Sequence, residues 1–178
     1  MQGVLVGCLY LPNGNPQPGP KFDYKLAWLD RLIAHAATLV DNGVPVVLAG
    51  DYNVVPTDDD IYDPKSRTKD ALLQPAPRAR FEKLMAQGWL DAILEQHGRR
   101  MYTFWDFFRN HWERDAGLRL DHLLLNTTLA KTLVESGVDR WVRSLPKPSD
   151  HAPAWVTLDL GAKPTGRSRG RARPRSRP

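Results

Sequence analysis

The chain has 178 residues, 42% apolar and 25% charged, which is the size and balance of one globular domain with a sizeable core. It holds no apolar run of about 18 residues, so no membrane-spanning helix is expected, and its single cysteine, Cys8, excludes an internal disulfide framework and fits a reducing, cytoplasmic setting. The net charge of +5 is concentrated at one end: Gly161 to Pro178 carry seven basic side chains and no acid, leaving 18 basic against 20 acidic residues in the rest.

The body is therefore not a basic nucleic-acid sponge. The tail has Lys163 and six arginines from Arg167 to Arg177, with Pro, Gly and Ser between them. Such a segment cannot build a core, and it would hold nucleic-acid phosphates by counterion release without reading sequence. A solubilising tail is the other reading. The expected organisation is one domain over 1–160 and a disordered Arg-rich tail over 161–178.

In chain order, Val4 to Tyr10 is apolar and partly β-branched, and reads as a buried strand. Its Leu5-Val6-Gly7-Cys8 segment resembles a lipoprotein cleavage box, but no basic residue precedes it and the apolar stretch is too short for a signal. Leu11 to Pro20, with four prolines and two glycines, is a loop. From Lys21 to Asp41, Phe22, Leu26, Leu29, Ile33, Ala36 and Val40 recur in steps of three and four, defining one helix face that Gly43 terminates.

Val46 to Gly50 reads as a central strand, followed by a long polar loop from Asp51 to Pro77. Arg78 to Gln87 reads as a helix stopped by Gly88. Tyr102–Trp105, Leu118–Leu125, Val138–Val142 and Ala154–Leu158 read as strands. Helices and short strands without an internal repeat indicate α/β or mixed α+β layers.

Three clusters carry polar chemistry. Gly50-Asp51-Tyr52-Asn53 sits where a strand ends, the place where α/β folds set functional groups; Asp51 could take a proton from water and Asn53 could donate to a phosphate oxygen. Arg119-Leu120-Asp121-His122 lies in an apolar strand, where alternation puts Arg119 and Asp121 on one face and Leu120 and His122 on the other. A carboxylate there needs a partner, either Arg119 or a histidine that Asp121 orients. Ser149-Asp150-His151-Ala152-Pro153 precedes the last strand and offers an imidazole to a scissile phosphate. Each is a common turn or pair when taken alone. The remaining histidines, His35, His97 and His111, have no zinc spacing.

Together, these clusters with Tyr10-Leu11-Pro12-Asn13-Gly14 and Thr103-Phe104-Trp105-Asp106 resemble the exonuclease III family of DNA-repair nucleases, within the endonuclease/exonuclease/phosphatase superfamily, over residues 3 to 160. The resemblance implies the C-terminal portion of a DNase I-like four-layer α/β sandwich. It also implies Mg²⁺ (or Mn²⁺) dependent cleavage of duplex DNA at abasic or 3′-blocked sites. It makes Asp51 the acid that positions or deprotonates water, Asn53 its phosphate-binding neighbour and Tyr10 a phenol near the phosphate. Asn13 becomes a phosphate contact, Asp121 the carboxylate orienting His151, and Asp150 an acid near the metal. Asp51, Asn53, Asp150 and His151 would then surround the metal. Phe104, Leu118 and Leu120 would form an apolar pocket for a base-less sugar, whereas Trp105 reads as core.

The family also draws an Asn and its principal metal-binding Glu from an N-terminal half with Trp-Asn-x-Asn-Gly and Gln-Glu-Thr motifs, and neither motif occurs in these 178 residues. The expectation is a chain lacking that half, inactive alone, completed in trans, or acting as a non-catalytic DNA-associating fragment. A phosphorylated lipid or inositol substrate is a further alternative, disfavoured by the aromatic run Tyr102 to Phe108 and by the tail.

Overall fold

The computed structural model describes residues 3–40 and 43–161; apart from Gly161, the tail lies outside the described residues. Two strands rich in aliphatic residues, β1 (Leu5–Tyr10) and β2 (Val46–Asp51), pair in parallel across the long helix α1 (Pro20–Val40). Strand β4 (Asp121–Leu125) runs antiparallel to β2, and the two-residue β3 (Leu90–Asp91) joins its far side, giving the order β1-β2-β4-β3. A separate antiparallel pair, β5 (Leu133–Val138) and β6 (Ala154–Leu158), forms a second small sheet.

Alternation along β2 and β4 splits the core into two layers. Val46, Leu48 and Leu124 meet the buried stripe of α1 (Leu29, Leu32, Ile33, Ala36, Leu39), together with Phe81 and Leu84 of α2 (Pro75–Met85). Val47, Leu123 and Leu125 face the other way, onto Ala92 and Ile93 of α3 (Ala92–His97), Leu129 of α4 (Thr127–Ala130) and side chains from β5 and β6. The result is a helix layer, a mixed sheet and a smaller sheet, an α/β arrangement as expected. β1 is the outer strand, and its Leu5, Val6 and Tyr10 stay exposed.

Several expectations are corrected. The buried stripe of α1 starts at Lys25 and runs through Leu29, Leu32, Ile33, Ala36 and Leu39, so Phe22, Leu26 and Val40 lie at its margin. α2 begins at Pro75, because Pro75 and Pro77 fall in its first turn, where a missing N–H costs nothing. Tyr102–Trp105 forms only isolated bridges at Phe104, to Leu118 and His151, and Leu118 likewise forms only isolated bridges, to Phe104 and Ile61, before β4. Val138–Val142 is not a strand: β5 ends at Val138 and Arg140–Ser144 is a 3₁₀ turn that leaves Trp141 exposed.

Candidate active site

The register of the sheet brings the clusters together. Tyr10 of β1 pairs with Asp51 of β2, and Asp51 pairs with Asp121 of β4. Residues in register share a face, so three polar side chains form a row across the strand ends on the side of β5 and β6. Gly50 permits this row. Its φ of +143° lies in glycine territory, and a Cβ there would stand 1.9 Å from the Leu9 carbonyl oxygen.

Two carboxylates opposite each other repel unless a cation lies between them. His151 supplies it from the turn before β6. Its Nδ1 is 2.7 Å from Asp121 Oδ2, and its Nε2 points to Asp51 Oδ2 at 4.0 Å. Thr103 anchors the start of β4 by accepting from the backbone N–H groups of Leu120 and Asp121 through Oγ1, at 3.1 and 3.0 Å. Arg143 donates to the carbonyls of Ser149 and Trp105 and so holds the His151 turn. From sequence Thr103 was named only within the Thr103-Phe104-Trp105-Asp106 segment, without this role, and Arg143 was not named; only the low frequency of buried arginines could have hinted at the second.

Asp51 is nearly buried and tightly held. Its Oδ1 accepts from the Asn53 backbone N–H at 2.7 Å and its Oδ2 from Asn53 Nδ2 at 2.8 Å. Asn53 Nδ2 also donates to the Leu11 carbonyl at 2.8 Å, and Asn53 Oδ1 accepts from Asn13 Nδ2 at 3.3 Å. Both amide hydrogens of Asn53 are thereby engaged, so its amide orients Asp51. Among the described residues, the second amide hydrogen of Asn13 is left as a donor without an acceptor. Tyr10 stands exposed at the end of the row, and Phe104 packs edge-on to the His151 ring, 5.0 Å between centroids.

Burial pushes the Asp51 carboxyl up to about 6, reinforced by the Asp121 charge and opposed chiefly by the Asn53 N–H. Burial disfavours the charged form of His151, but the hydrogen bond to Asp121 and the charges of Asp121, Asp51 and Asp150 outweigh it and hold the imidazole above its ordinary value. Asp51 thus titrates just below neutrality, beside an imidazole whose charged form its acid neighbours favour. A buried carboxyl raised toward neutrality beside an imidazole raised by its acid neighbours marks a candidate acid–base site.

The expected metal set does not gather. Among the described residues no group of three or more His, Cys, Asp and Glu side chains is placed to hold a metal ion. Asp51 and Asn53 bond each other, His151 Nδ1 is taken by Asp121, and the nearest recorded partner of the Asp150 side chain is Ser149 Oγ at 3.4 Å. Mg²⁺ is commonly held by one or two carboxylates with water completing six oxygens, but both Asp51 oxygens here accept from Asn53, so the four expected residues as placed do not form such a set.

Leu118 and Leu120 are fully buried among Val55, Ile61, Leu72 and Leu73, so of the three expected pocket residues only Phe104 reaches toward His151. Trp105 is core, as expected, with its Nε1 donating to Asp115. Arg119 does not pair with Asp121. It donates to Asp60 and Asp91 in a buried cluster that His122 Nδ1 joins at 2.8 Å from Asp91. β4 starts only at Asp121, so strict alternation does not extend back to Arg119.

Comparison with known proteins places the chain in a family. The sequence profile of the Endonuclease/Exonuclease/phosphatase family matches residues 2–151. The chain is 32% identical over 153 residues to the zebrafish (Danio rerio) protein "DNA repair nuclease APEX1", covering 85% of this chain and 47% of that one. It is 29% identical over 156 residues to exodeoxyribonuclease III of Haemophilus influenzae, covering 83% and 58%. Among solved structures, an AP endonuclease from Archaeoglobus fulgidus superposes with a TM-score of 0.83 at 32% identity, covering 88% of this chain and 62% of that one. The 3′ phosphatase NExo from Neisseria, bound to a product DNA hairpin, gives 0.82 at 33% identity with the same coverage. The chain thus spans about half to three fifths of the length of these relatives.

Proposed function

The chain belongs to the endonuclease/exonuclease/phosphatase family, and from that premise we propose that it contributes the hydrolytic centre of an exonuclease III-type phosphodiesterase acting on duplex DNA at abasic or 3′-blocked sites. The observation that carries this reading is the Asp51–His151–Asp121 arrangement, two cross-strand carboxylates with an imidazole between them.

In this reading the scissile phosphate lies over the row, within reach of the Tyr10 hydroxyl, the free amide hydrogen of Asn13 and His151 Nε2. Asp51, ionised around neutral pH, accepts the proton of the attacking water; a base tuned near the working pH is the efficient choice. The water oxygen bonds to phosphorus as the P–O3′ bond breaks, and the departing 3′-oxygen takes a proton from solvent. Asn53 fixes the direction of its lone pairs. His151, kept charged by Asp121, donates through Nε2 to the phosphoryl oxygen that gains charge. Phe104 limits the rotation of His151 and offers an apolar surface to the sugar. Mg²⁺, in our reading the ion used, needs donors beyond those described, so no step is routed through it.

The test is nicking of duplex DNA bearing one abasic site, with Mg²⁺ and then with EDTA. Mg²⁺-dependent cleavage well above that of Asp51→Ala and His151→Ala supports the assignment, and equal rates reject it. The exposed Leu5, Val6 and Tyr10 on the outer strand favour a second reading, in which a further segment completes the site in trans. Cleavage only after a separately made segment is added distinguishes it.

A further inference from the structure

α1 buries a lysine. Lys25 has no exposed surface, although it lies at the end of a helix stripe that is otherwise aliphatic. An ammonium inside a protein persists only if its protons find acceptors. Lys25 Nζ finds three, all backbone carbonyls: Asn53 at 2.5 Å, Asn13 at 3.0 Å and Ala71 at 3.3 Å. Its three donors are thereby used, and nothing remains for a ligand.

These carbonyls belong to three loops that are far apart in sequence. The first carries Asn13, the second, directly after Asp51 at the end of β2, carries Asn53, and the third carries Asp70 and Ala71. Further bonds tie the same loops: Asn15 Nδ2 donates to Asp70 at 2.7 Å, the Ala71 N–H donates to Asn15 Oδ1 at 2.9 Å, and Asn13 bridges to Asn53. The packing is close, since a Cβ on Gly14 would come within 2.7 Å of Lys25 Cδ. Asn53 itself sits at φ +47°, a conformation that surrounding contacts must hold. Asp70 and Asp51 are the acids that face the ammonium, and burial brings it down to about 8, so it remains charged at neutral pH.

We propose that Lys25 is a positioning residue: its buried ammonium draws the Asn13, Asn53 and Ala71 carbonyls to one point and thereby sets the aim of Asn13 and Asp51 at the phosphate. The inference rests on the function proposed above. It explains why a helix whose other buried residues pack against the sheet and α2 spends its first buried position on a charge. Displacing a catalytic group by about 1 Å costs up to about 100-fold in rate, so the staple matters to chemistry even though it touches no substrate.

Two measurements test it. In the unaltered protein, nitrogen-detected NMR of the Lys25 ammonium is expected to show slowly exchanging protons with couplings across hydrogen bonds to the Asn13, Asn53 and Ala71 carbonyls. A freely exchanging, uncoupled ammonium overturns the proposal. In Lys25→Met, the side-chain amide signals of Asn13 and Asn53 are expected to move, and kcat for abasic-site nicking to fall about 10- to 100-fold with KM changed by less than about threefold. Lys83→Met, an exposed lysine on α2, serves as control and keeps both. A folded Lys25→Met with unmoved amides and parental kcat refutes the inference. If Lys25→Met does not fold, the couplings in the unaltered protein decide. If the unaltered protein does not nick even with a completing segment added, the functional reading falls, while couplings and amide signals still decide the role of Lys25.

Discussion

Asp121 Oδ2 accepts from His151 Nδ1 at 2.7 Å, and this contact leaves the opposite ring nitrogen facing Asp51 at 4.0 Å. The bond does two things at once: it fixes the orientation of the ring and favours its charged form. Asp121→Asn keeps the shape and removes the charge. The expected result is a fall in the His151 titration midpoint toward about 6.5 and a loss of about 100-fold or more in nicking rate, checked by proton NMR and a gel assay. Because folding raises the pKa of His151, the stability it contributes is fully present below its unfolded pKa and is lost as pH rises through the folded value. Asp121→Asn should abolish that part of the pH dependence in thermal melts.

Asp51 has the opposite sign from an ordinary ion-paired carboxylate. Its folded pKa of about 6 lies above the unfolded value, so the charged form costs stability above about pH 6, and that cost vanishes as pH falls toward 4. Asp51→Asn is therefore expected to gain on the parent by roughly 2 kcal/mol between pH 4 and pH 8, while losing nicking activity. Urea melts at the two pH values check this; a constant difference would show that the carboxyl is not strained by burial.

The Arg119–Asp91–His122 cluster lies under α2 and plays no part in the row of acids. Burial would raise the Asp91 carboxyl, but the His122 hydrogen bond and charge, together with Arg119, hold it far below the usual carboxylate range. Asp91→Ala leaves the buried Arg119 with Asp60 alone and His122 Nδ1 without its carboxylate, and should cost about 3–5 kcal/mol. The stability Asp91 supplies is present above its unfolded pKa, near 4, and is lost as pH falls toward its folded value. Asp91→Asn should therefore be weaker at pH 7 yet flatter than the parent between pH 4 and 2.

Gly50 admits no side chain. In Gly50→Ala the added carbon would overlap the Leu9 carbonyl, forcing β1 away from β2 and Asp51 out of register with Tyr10. The expected loss exceeds the roughly 1 kcal/mol of an ordinary Gly–Ala exchange, and hydrogen exchange should show β1 opening first. Unchanged protection of β1 would contradict the register described here.

Motifs were legible because their chemistry is local: Gly50-Asp51-Tyr52-Asn53 and Ser149-Asp150-His151 each carry a turn and a functional group within a few residues. The pairing of Asp121 with His151 was also foreseen, through the family resemblance. The choice between Arg119 and His151 as partner of Asp121 was not readable from alternation, since β4 begins only at Asp121. β5 escaped notice because Glu135, Ser136 and Gly137 look nothing like a strand; Gly137 is needed there since Trp155 of β6 covers it, a Cβ meeting the indole at 2.6 Å. Trp141 and Val142 mimicked a strand because periodicity cannot see exposure. Lys25 was hidden by the same limit, since a helix wheel drawn from apolar residues skips a charged one, and only the three carbonyls contributed by distant loops show why it is inside.

The central claim is that Asp121 acts through His151 on a phosphate held over Asp51. A double-mutant cycle under single-turnover conditions tests it most directly, on abasic duplex DNA with saturating Mg²⁺ and any completing segment present. If the claim holds, Asp121→Asn and His151→Ala each slow cleavage, and the double variant is no slower than His151→Ala alone. Multiplicative losses in the double variant would mean that the two residues act independently, and would contradict the account.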